Sequence, residues 1–237
     1  MNKFHARLDL SLISDLPPFR DLAGKDLAAL VAMAMPRHYS EGASVFRQGE
    51  AAHSFFLLLD GVIRVVKITP AGEQVIARYI PSGQLFGIAQ ALRLDAYPAN
   101  AIAAIDCLAL AWPGSAWTAI VERFPPFAAS TYQTVGLRLQ ETQDQLVELA
   151  TKRVGQRVAG ALLRLGNDTG RRTPDGIQIT VPLSRQDVAE MAGTTLHTVS
   201  RLLSRWEENG IVRSSRLSVV IKDASALAKI ADAEREI

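Results

Sequence analysis

The alternation of apolar and polar positions changes along the chain and divides it into three regions. Residues 20–35 carry apolar side chains at helical spacing. Residues 36–112 consist of short apolar runs separated by glycines, and Asp60-Gly61 has the composition of a hairpin turn, so this region is predicted to form strands and turns. From about Pro125 the spacing is helical again. The pattern therefore predicts a β-sandwich or barrel followed by helices.

A heptad pattern of apolar positions occupies the helical segment that follows Pro125-Pro126. Prolines are tolerated in the first turn of a helix but not in its interior, so this pair marks the start. The repeat alternates steps of four and three residues, and most residues between its positions are polar. Such a narrow seam favours pairing with the same helix of a second copy, while packing on the chain's own β-domain is the alternative. The seam consists of Ala128, Tyr132, Val135, Leu139, Thr142, Leu146 and Leu149.

The last third of the chain begins with two helical segments separated by turn formers. Apolar spacing predicts a helix over residues 151–166, and residues 167–176 are rich in turn formers. Ser184, with Asp187 three residues later, predicts the start of a further helix. Gly193 predicts the end of that helix, because glycine adopts the left-handed conformation that commonly closes one.

A second short helix is predicted directly after this glycine. Thr194 and Thr195 can cap it, and its apolar face consists of Val199, Leu202, Leu203 and Trp206. Two short helices around a glycine turn form the helix-turn-helix layout, whose second helix enters the major groove of DNA with its N-terminal residues. The alternating stretch 211–223 predicts a hairpin wing. The wing offers two candidate phosphate contacts, Arg213 and Arg216.

Composition indicates a globular protein rather than a disordered or membrane-spanning one. The 237 residues are 48% apolar and 21% charged. No apolar run reaches the roughly 18 residues that span a bilayer, and the N-terminal segment lacks the apolar core of a secretion signal. Cys107 is the single cysteine, which excludes a disulfide within the chain and a cysteine-ligated zinc or iron–sulfur site built by one chain. These observations predict a cytoplasmic protein with no membrane partner.

The charge of the chain is unevenly distributed. The net charge is only +2, but residues 151–237 carry 14 Lys and Arg against 10 Asp and Glu, whereas residues 1–150 carry 12 against 14. A basic C-terminal third suits a polyanionic partner. Scattered surface charge is the alternative interpretation, so the charge supports the helix-turn-helix hypothesis without deciding it.

Taken together, these motifs resemble the CRP/FNR family of bacterial regulators over nearly the whole chain. Residues 42–49 (GASVFRQG), 59–65 (LDGVIRV) and 83–87 (GQLFG) are similar to the family's cyclic-nucleotide-type β-roll. Residues 128–149 resemble its dimerisation helix, and residues 183–209 resemble its winged helix-turn-helix. The resemblance implies an α+β fold, a homodimer, a palindromic site in double-stranded DNA and RNA polymerase as a further partner.

Residue-by-residue matching of the helix-turn-helix implies specific DNA contacts. The FNR-branch pattern Glu-x-x-Ser-Arg corresponds to HTVSR at residues 197–201, so Arg201 is expected to make a bidentate contact with guanine and Ser200 to contact a neighbouring base. His197 replaces the usual glutamate, which changes the base expected at that position. Leu196 replaces the arginine of the cyclic-AMP branch. Four residues match positions that hold the phosphate backbone: Arg185, Gln186, Thr195 and Thr198.

The family's cyclic-nucleotide anchors are missing from the segments that match them. Gln84 replaces the glutamate that holds the ribose, and Tyr97 and Pro98 replace the arginine and serine that hold the phosphate. Because a buried phosphate has to be paired, cyclic AMP is not expected as an effector. The matching segments define a candidate effector pocket made of Gln84, Leu85, Gly87, Tyr97 and Pro98.

Haem is the cofactor that the resemblance then suggests. The Tyr-Pro-Ala stretch at residues 97–99 is similar to that of the Nnr/Dnr-type nitric-oxide-responsive branch, and no N-terminal cysteine cluster is present for an iron–sulfur centre. Imidazole is a common haem ligand, so His5, His38 and His53 are candidate axial ligands. The alternative is that these are surface or strand histidines, with another small molecule or no effector at all.

The sequence thus predicts a regulator with three parts. Residues 1–124 form a sensory β-roll with an N-terminal helix, residues 125–150 form the dimerisation helix, and residues 151–237 form the winged helix-turn-helix. An enzyme or a β-roll protein without DNA binding is the rival class. It is disfavoured because no nucleophile–base spacing, metal-ligand cluster or phosphate-binding glycine loop is found.

Overall fold

The computed structural model describes residues 9–233, so His5 lies outside the described residues. The fold is α+β, as predicted. Its helices are α1 Gly24–Ala32, α2 Trp117–Arg123, α3 Pro125–Thr151, α4 Val154–Thr169, α5 Arg185–Ala192, α6 Leu196–Glu208 and α7 Ala224–Asp232. Its strands are β1 Met35–Tyr39, β2 Ser44–Phe46, β3 Ser54–Asp60, β4 Val62–Ile68, β5 Gln74–Pro81, β6 Leu85–Phe86, β7 Asn100–Ala103, β8 Cys107–Pro113, β9 Gly170–Thr173, β10 Gly176–Ile179, β11 Val212–Ser214 and β12 Val219–Ile221.

The chain divides into two compact units, and the long helix α3 crosses the division. The first unit consists of the chain up to Lys67 together with Ile80–Glu141. The second consists of Ile68–Tyr79 and the chain from Thr142 onward. None of the helices within residues 9–233 is both long enough and apolar enough to cross a bilayer.

Two four-stranded sheets build the β-roll of the N-terminal part, with strand orders β1-β8-β3-β6 and β2-β7-β4-β5. Alternate residues of a strand point to opposite sides, and in β3 both sides are buried. Phe55 and Leu57 pack in a core with the helices α1, α2 and the start of α3, whereas Phe56 and Leu58 face the interior of the roll. A turn at Gly61, with φ of +97°, does separate β3 from β4, but the two strands lie in different sheets, so the predicted hairpin was wrong.

Helix α3 begins at Pro125, as predicted, and its first turns belong to the core of the first unit. Phe127 and Thr131 are buried, and Val135 is partly buried against the same core. Four of the predicted seam residues are more than half exposed: Tyr132 (53%), Leu139 (59%), Leu146 (66%) and Leu149 (53%). The start of the helix therefore packs on its own domain, while the rest presents an uncovered apolar stripe. Pairing with a second copy stays a prediction.

The second unit contains the four-stranded sheet β11-β12-β10-β9 and the helices α4 to α7. The predicted boundaries at residues 151–176 were wrong. Helix α4 starts at Val154 and continues to Thr169, and residues 170–173 form β9 rather than a turn. Thr169 is buried, and its Oγ1 donates to the carbonyl of Leu165 at 2.9 Å, so packing keeps the last turn helical despite its turn-forming composition.

Candidate nucleic-acid interface and sensor cavity

Helix α5 starts and ends as its sequence predicts. Ser184 accepts a hydrogen bond from the backbone N–H of Asp187 at 3.1 Å, and Asp187 Oδ2 accepts one from the N–H of Ser184 at 2.8 Å. This reciprocal capping box satisfies amide groups that have no partner inside the helix. Gly193 ends the helix in the left-handed conformation, with φ of +59°. The turn that leads to α6 is thereby fixed by local chemistry at both ends of α5.

Helix α6 is strongly amphipathic and presents its N-terminal end to solvent. Thr195 caps it, since Thr195 Oγ1 accepts from the N–H of Thr198 at 3.3 Å. Val199, Leu203 and Trp206 are buried and hold the helix on the domain. The opposite face is free, and Leu196, the first residue of the helix, is 42% exposed. This is the arrangement that a recognition helix needs in order to enter a groove.

The structure brings the seven predicted DNA-contacting residues together on α5, α6 and the cap between them, and none of them is buried. Four are exposed: Gln186, Thr195, His197 and Arg201. Three are partly buried: Arg185, Thr198 and Ser200. The exposed Gln186 donates from Nε2 to Glu190 Oε1 at 3.1 Å, a hydrogen bond within α5. All seven are accessible to a ligand of the size of DNA.

The predicted wing is present as the hairpin of β11 and β12. Its two arginines differ in environment. Arg213 Nη2 is 2.9 Å from Asp175 Oδ2 in an exposed ion pair, while Arg216 lies exposed in the turn. A contact between Arg213 and phosphate would compete with this ion pair, so Arg216 is the simpler candidate.

Arg157 of α4 was not singled out by the sequence, yet it holds the helix-turn-helix turn in place. Its Nε donates to the carbonyl of Ala192 at 3.0 Å and its Nη2 donates to that of Gly193 at 3.2 Å. Its Nη1 donates to the carbonyl of Lys152, next to the end of α3, at 3.0 Å. One guanidinium thus ties the residue after the long helix to the turn before the recognition helix. No local pattern signals this role, because all three acceptors are backbone carbonyls and two of them lie 35 and 36 residues further along the chain.

Replacing Gly193 by alanine (Gly193→Ala) is expected to lower the free energy of unfolding by about 1–2 kcal/mol, because a side chain is strained at positive φ. A Cβ at this position would also lie 3.1 Å from Leu149 Cδ2. Urea denaturation measures the effect. The control is Gly160→Ala inside α4, where the added Cβ meets only ordinary contacts and a gain of about 0.5–1 kcal/mol is expected. Equal changes in the two variants would contradict the role of the turn glycine.

The predicted effector-pocket residues lie in different environments. Gln84 and Pro98 are exposed, and Leu85 is buried with its carbonyl accepting a hydrogen bond from Arg138 of α3. A Cβ on Gly87 would lie 3.0 Å from atoms of the rings of Phe46 and Phe56. Aromatic side chains therefore fill the roll beside Gly87. The set contains Phe46, Phe56, Phe86 and Tyr97.

Tyr97 matches the position of the family's phosphate-binding arginine, and here its ring is a buried part of the roll interior. Its ring stacks on Phe46 with centroids 3.8 Å apart. Its hydroxyl donates to the carbonyl of Ser54 at 2.7 Å and accepts from the N–H of Ser54 at 3.1 Å. Burial raises the pKa of the Tyr97 hydroxyl, and the hydrogen bond with Ser54 opposes that shift. A neutral, satisfied phenol at this position offers an anion no charge to pair with.

A cavity of about 390 Å³ opens beside Tyr97, within the first unit. We call it the β1–β2 cavity. Tyr97 is the one predicted pocket residue that lines it. Its lining residues are Met35, Arg37, Tyr39, Val45, Phe46, Glu50, Ala51, His53, Ser54, Phe56, Tyr97, Ala111, Trp112 and Pro113.

The candidate haem ligands within the described residues do not come together. His53 lines the β1–β2 cavity, and His38 does not. His38 pairs with Leu108 of β8, whereas Ser54, next to His53, pairs with Pro113 at the other end of that strand. Five residues of strand span about 16 Å, so the two histidines cannot ligate one iron in this conformation. A haem would find a single imidazole, that of His53, at this cavity.

Two family models match the chain. The cyclic nucleotide-binding domain matches residues 36–124, and the Crp-like helix-turn-helix domain matches residues 156–230. The nitrogen fixation regulation protein FixK of Azorhizobium caulinodans is 28% identical over 213 residues, which cover 89% of this chain and 84% of FixK. The cyclic AMP receptor protein of Thermus thermophilus is 28% identical over 215 residues, which cover 91% of this chain and 96% of that protein.

A solved structure shows the same fold. FixK2 of Bradyrhizobium japonicum has a TM-score of 0.73 at 24% identity, covering 85% of this chain and 98% of FixK2. The chain is a helix-turn-helix transcription regulator of the CRP/FNR type. It combines a cyclic-nucleotide-binding-like domain with a Crp-like DNA-binding domain. Its relatives named here are regulators and not enzymes, and they do not single out the nitric-oxide-responsive branch.

Proposed function

We propose that the protein is a homodimeric regulator that reads a palindromic DNA site with α6. The observation that carries this proposal is the exposed N-terminal end of α6, with His197 and Arg201 accessible and the apolar face of the helix buried. An arginine in this position can pair with the O6 and N7 atoms of guanine in the major groove. Arg185, Gln186, Thr195 and Thr198 would position the helix on the phosphate backbone.

Pairing of two copies through α3 follows from its uncovered apolar stripe. Leu139 and Leu146 are 59% and 66% exposed, which leaves apolar surface that a second α3 would remove from water. A two-fold dimer presents two recognition helices, and its half-sites are then about one helical turn, ~34 Å, apart. The palindromic site is a consequence of that symmetry.

Replacing Arg201 by alanine is expected to weaken binding to the specific site by about 1–3 kcal/mol and to change binding to random DNA little. Titration of both duplexes by fluorescence anisotropy at one fixed salt concentration measures the two affinities. The matched control is Arg205→Ala, which removes the same charge one turn further along α6. Loss of affinity that is equal on both duplexes for Arg201→Ala would show that this residue does not read a base.

The β-roll is the sensory part in this proposal, and cyclic AMP is not its effector. Support comes from the stacked Tyr97 and Phe46, which occupy the place of the phosphate anchor with a neutral, hydrogen-bonded ring. Effector binding would shift the population between states in which the two recognition helices are spaced well or badly for DNA. RNA polymerase is the expected downstream partner, as the resemblance implies.

Haem-dependent sensing of nitric oxide is the finer hypothesis. It has the support of one residue, because His53 lies at the β1–β2 cavity. A haemin titration followed by the Soret band tests the hypothesis, and a His53→Ala variant that leaves a saturable band unchanged would remove this residue as the ligand.

A further inference from the structure

The β1–β2 cavity combines an apolar wall with a row of polar groups at its opening. Met35, Arg37 and Tyr39 lie on one face of β1, because alternate residues of a strand point to the same side. Val45 and Tyr97 face them from β2 and from the segment before β7. A volume of about 390 Å³ lies in the range of pockets that take small organic molecules.

The wall formed by Tyr97 is held rigidly. Besides the two hydrogen bonds of its hydroxyl, its backbone N–H donates to the carbonyl of Glu50 and its carbonyl accepts from Gly49, both at 2.9 Å. Stacking on Phe46 fixes the ring plane. The cavity is therefore pre-formed on this side, and a ligand need not order the wall when it binds.

The polar groups around the opening favour a negatively charged ligand. Arg37 is exposed, and its guanidinium makes no hydrogen bond or ion pair with any other residue in the range 9–233. Glu50 is already engaged, since Oε2 accepts from the backbone N–H of Arg47 at 2.9 Å. Arg37 and Tyr39 lie two residues apart on the same face of β1, and both line the cavity. Burial raises the pKa of the Tyr39 hydroxyl, and the charge of Arg37 opposes that shift. An arginine beside a neutral phenol donor suits a carboxylate.

We propose that the β1–β2 cavity binds a small amphipathic carboxylate, with the carboxylate on Arg37 and the apolar body against Tyr97 and Val45. This inference deepens the proposed function, because it rests on the β-roll being the sensory domain. It places the effector against Tyr97 in the β1–β2 cavity, whose lining includes no residue of the segment 83–87.

Strand β8 lines the cavity and also carries a side chain that packs against the long helix. Trp112 lines the cavity, and its ring centroid lies 6.4 Å from that of Phe127 in α3. Its indole N–H donates to the carbonyl of Leu30 at 2.9 Å, and its ring stacks on Phe55. Trp112 has no exposed surface and its ring packs on the helix side of the sheet, so a ligand in the cavity would lie beside β8 and not on this ring. Trp112 provides an intrinsic fluorescence signal close to the site.

The test uses the full-length protein and two matched pairs of probes, 3-phenylpropanoate with its amide and hexanoate with its amide. Binding is measured by calorimetry and by tryptophan fluorescence at pH 7. At least one acid is expected to bind saturably, and its neutral amide is expected to bind at least about tenfold more weakly. Two variants test the location: Arg37→Gln removes the charge, and Ala51→Trp fills the opening from an exposed position.

Both variants are expected to weaken binding of the acid at least about tenfold, while the control Arg20→Gln, which removes an exposed arginine that does not line the cavity, leaves it unchanged. Thermal unfolding of each variant establishes that it is folded. No acid binding to the unaltered protein, or binding that persists in Arg37→Gln and Ala51→Trp, would overturn the proposal. DNA affinity is measured on the same preparations. If the unaltered protein does not bind DNA specifically, the proposed function fails; if it binds DNA specifically but binds no acid, only the present inference fails.

Discussion

Replacing Phe127 by alanine is expected to lower the free energy of unfolding of the first unit by about 3–5 kcal/mol. Phe127 has no exposed surface, although it lies only two residues after the start of α3. Its ring centroid is 6.3 Å from those of Phe19 and Phe55 and 6.4 Å from those of Trp112 and Trp117. The substitution would leave a cavity among these rings. The rings come from different elements of the first unit, which cannot all shift to fill it.

Denaturation followed by tryptophan fluorescence measures this loss, since two of the rings around Phe127 are tryptophans. Leu137→Ala on the same helix is the matched control, because Leu137 is 56% exposed and its truncation is expected to cost less than about 0.5 kcal/mol. A similar cost for both variants would show that the start of α3 is not anchored in the core as described.

Replacing Leu146 by glutamate is expected to separate the two copies of the proposed dimer while leaving each chain folded. Leu146 is 66% exposed in the single chain, so the charge costs little there. In a paired seam, the symmetric substitution buries two unpaired carboxylates, and breaking comparable buried charges costs about 3–5 kcal/mol. The dimer dissociation constant is therefore expected to rise at least about 100-fold, with loss of binding to the palindromic site.

Sedimentation equilibrium measures the dissociation constant. Val147→Glu is the control, because Val147 is the next residue, is 59% exposed and lies off the heptad positions. The same dissociation in both variants would point to a general effect of charge on α3. A dimer that is unchanged by Leu146→Glu would place the interface elsewhere.

The parts of the fold that were predicted correctly are those with local signals. The capping box of Ser184 and Asp187, the left-handed Gly193 and the cap by Thr195 involve atoms a few residues apart. The start of α3 followed from Pro125 in the same way. Local chemistry suffices here because these groups find their partners within one turn of helix.

The contacts and the cavity that the sequence did not predict depend on segments far apart in the chain. Arg157 bonds to carbonyls of Lys152, Ala192 and Gly193, and a polar residue on a helix gives no sign of such partners. The β1–β2 cavity exists only because β1, β8 and β3 pair in one sheet while β2, a strand of the other sheet, supplies further lining residues. The departure of Tyr97 from the family pattern was visible, but its stacking on Phe46 was not.

Selection of bound duplexes from a pool of random DNA by the full-length protein tests the central claim most directly. The account predicts enrichment of an inverted repeat whose half-site centres lie about one helical turn apart, with a guanine in each half-site that loses its enrichment in Arg201→Ala. Enrichment of an unrepeated sequence, or no enrichment over the starting pool, would contradict a dimeric regulator that reads DNA with α6.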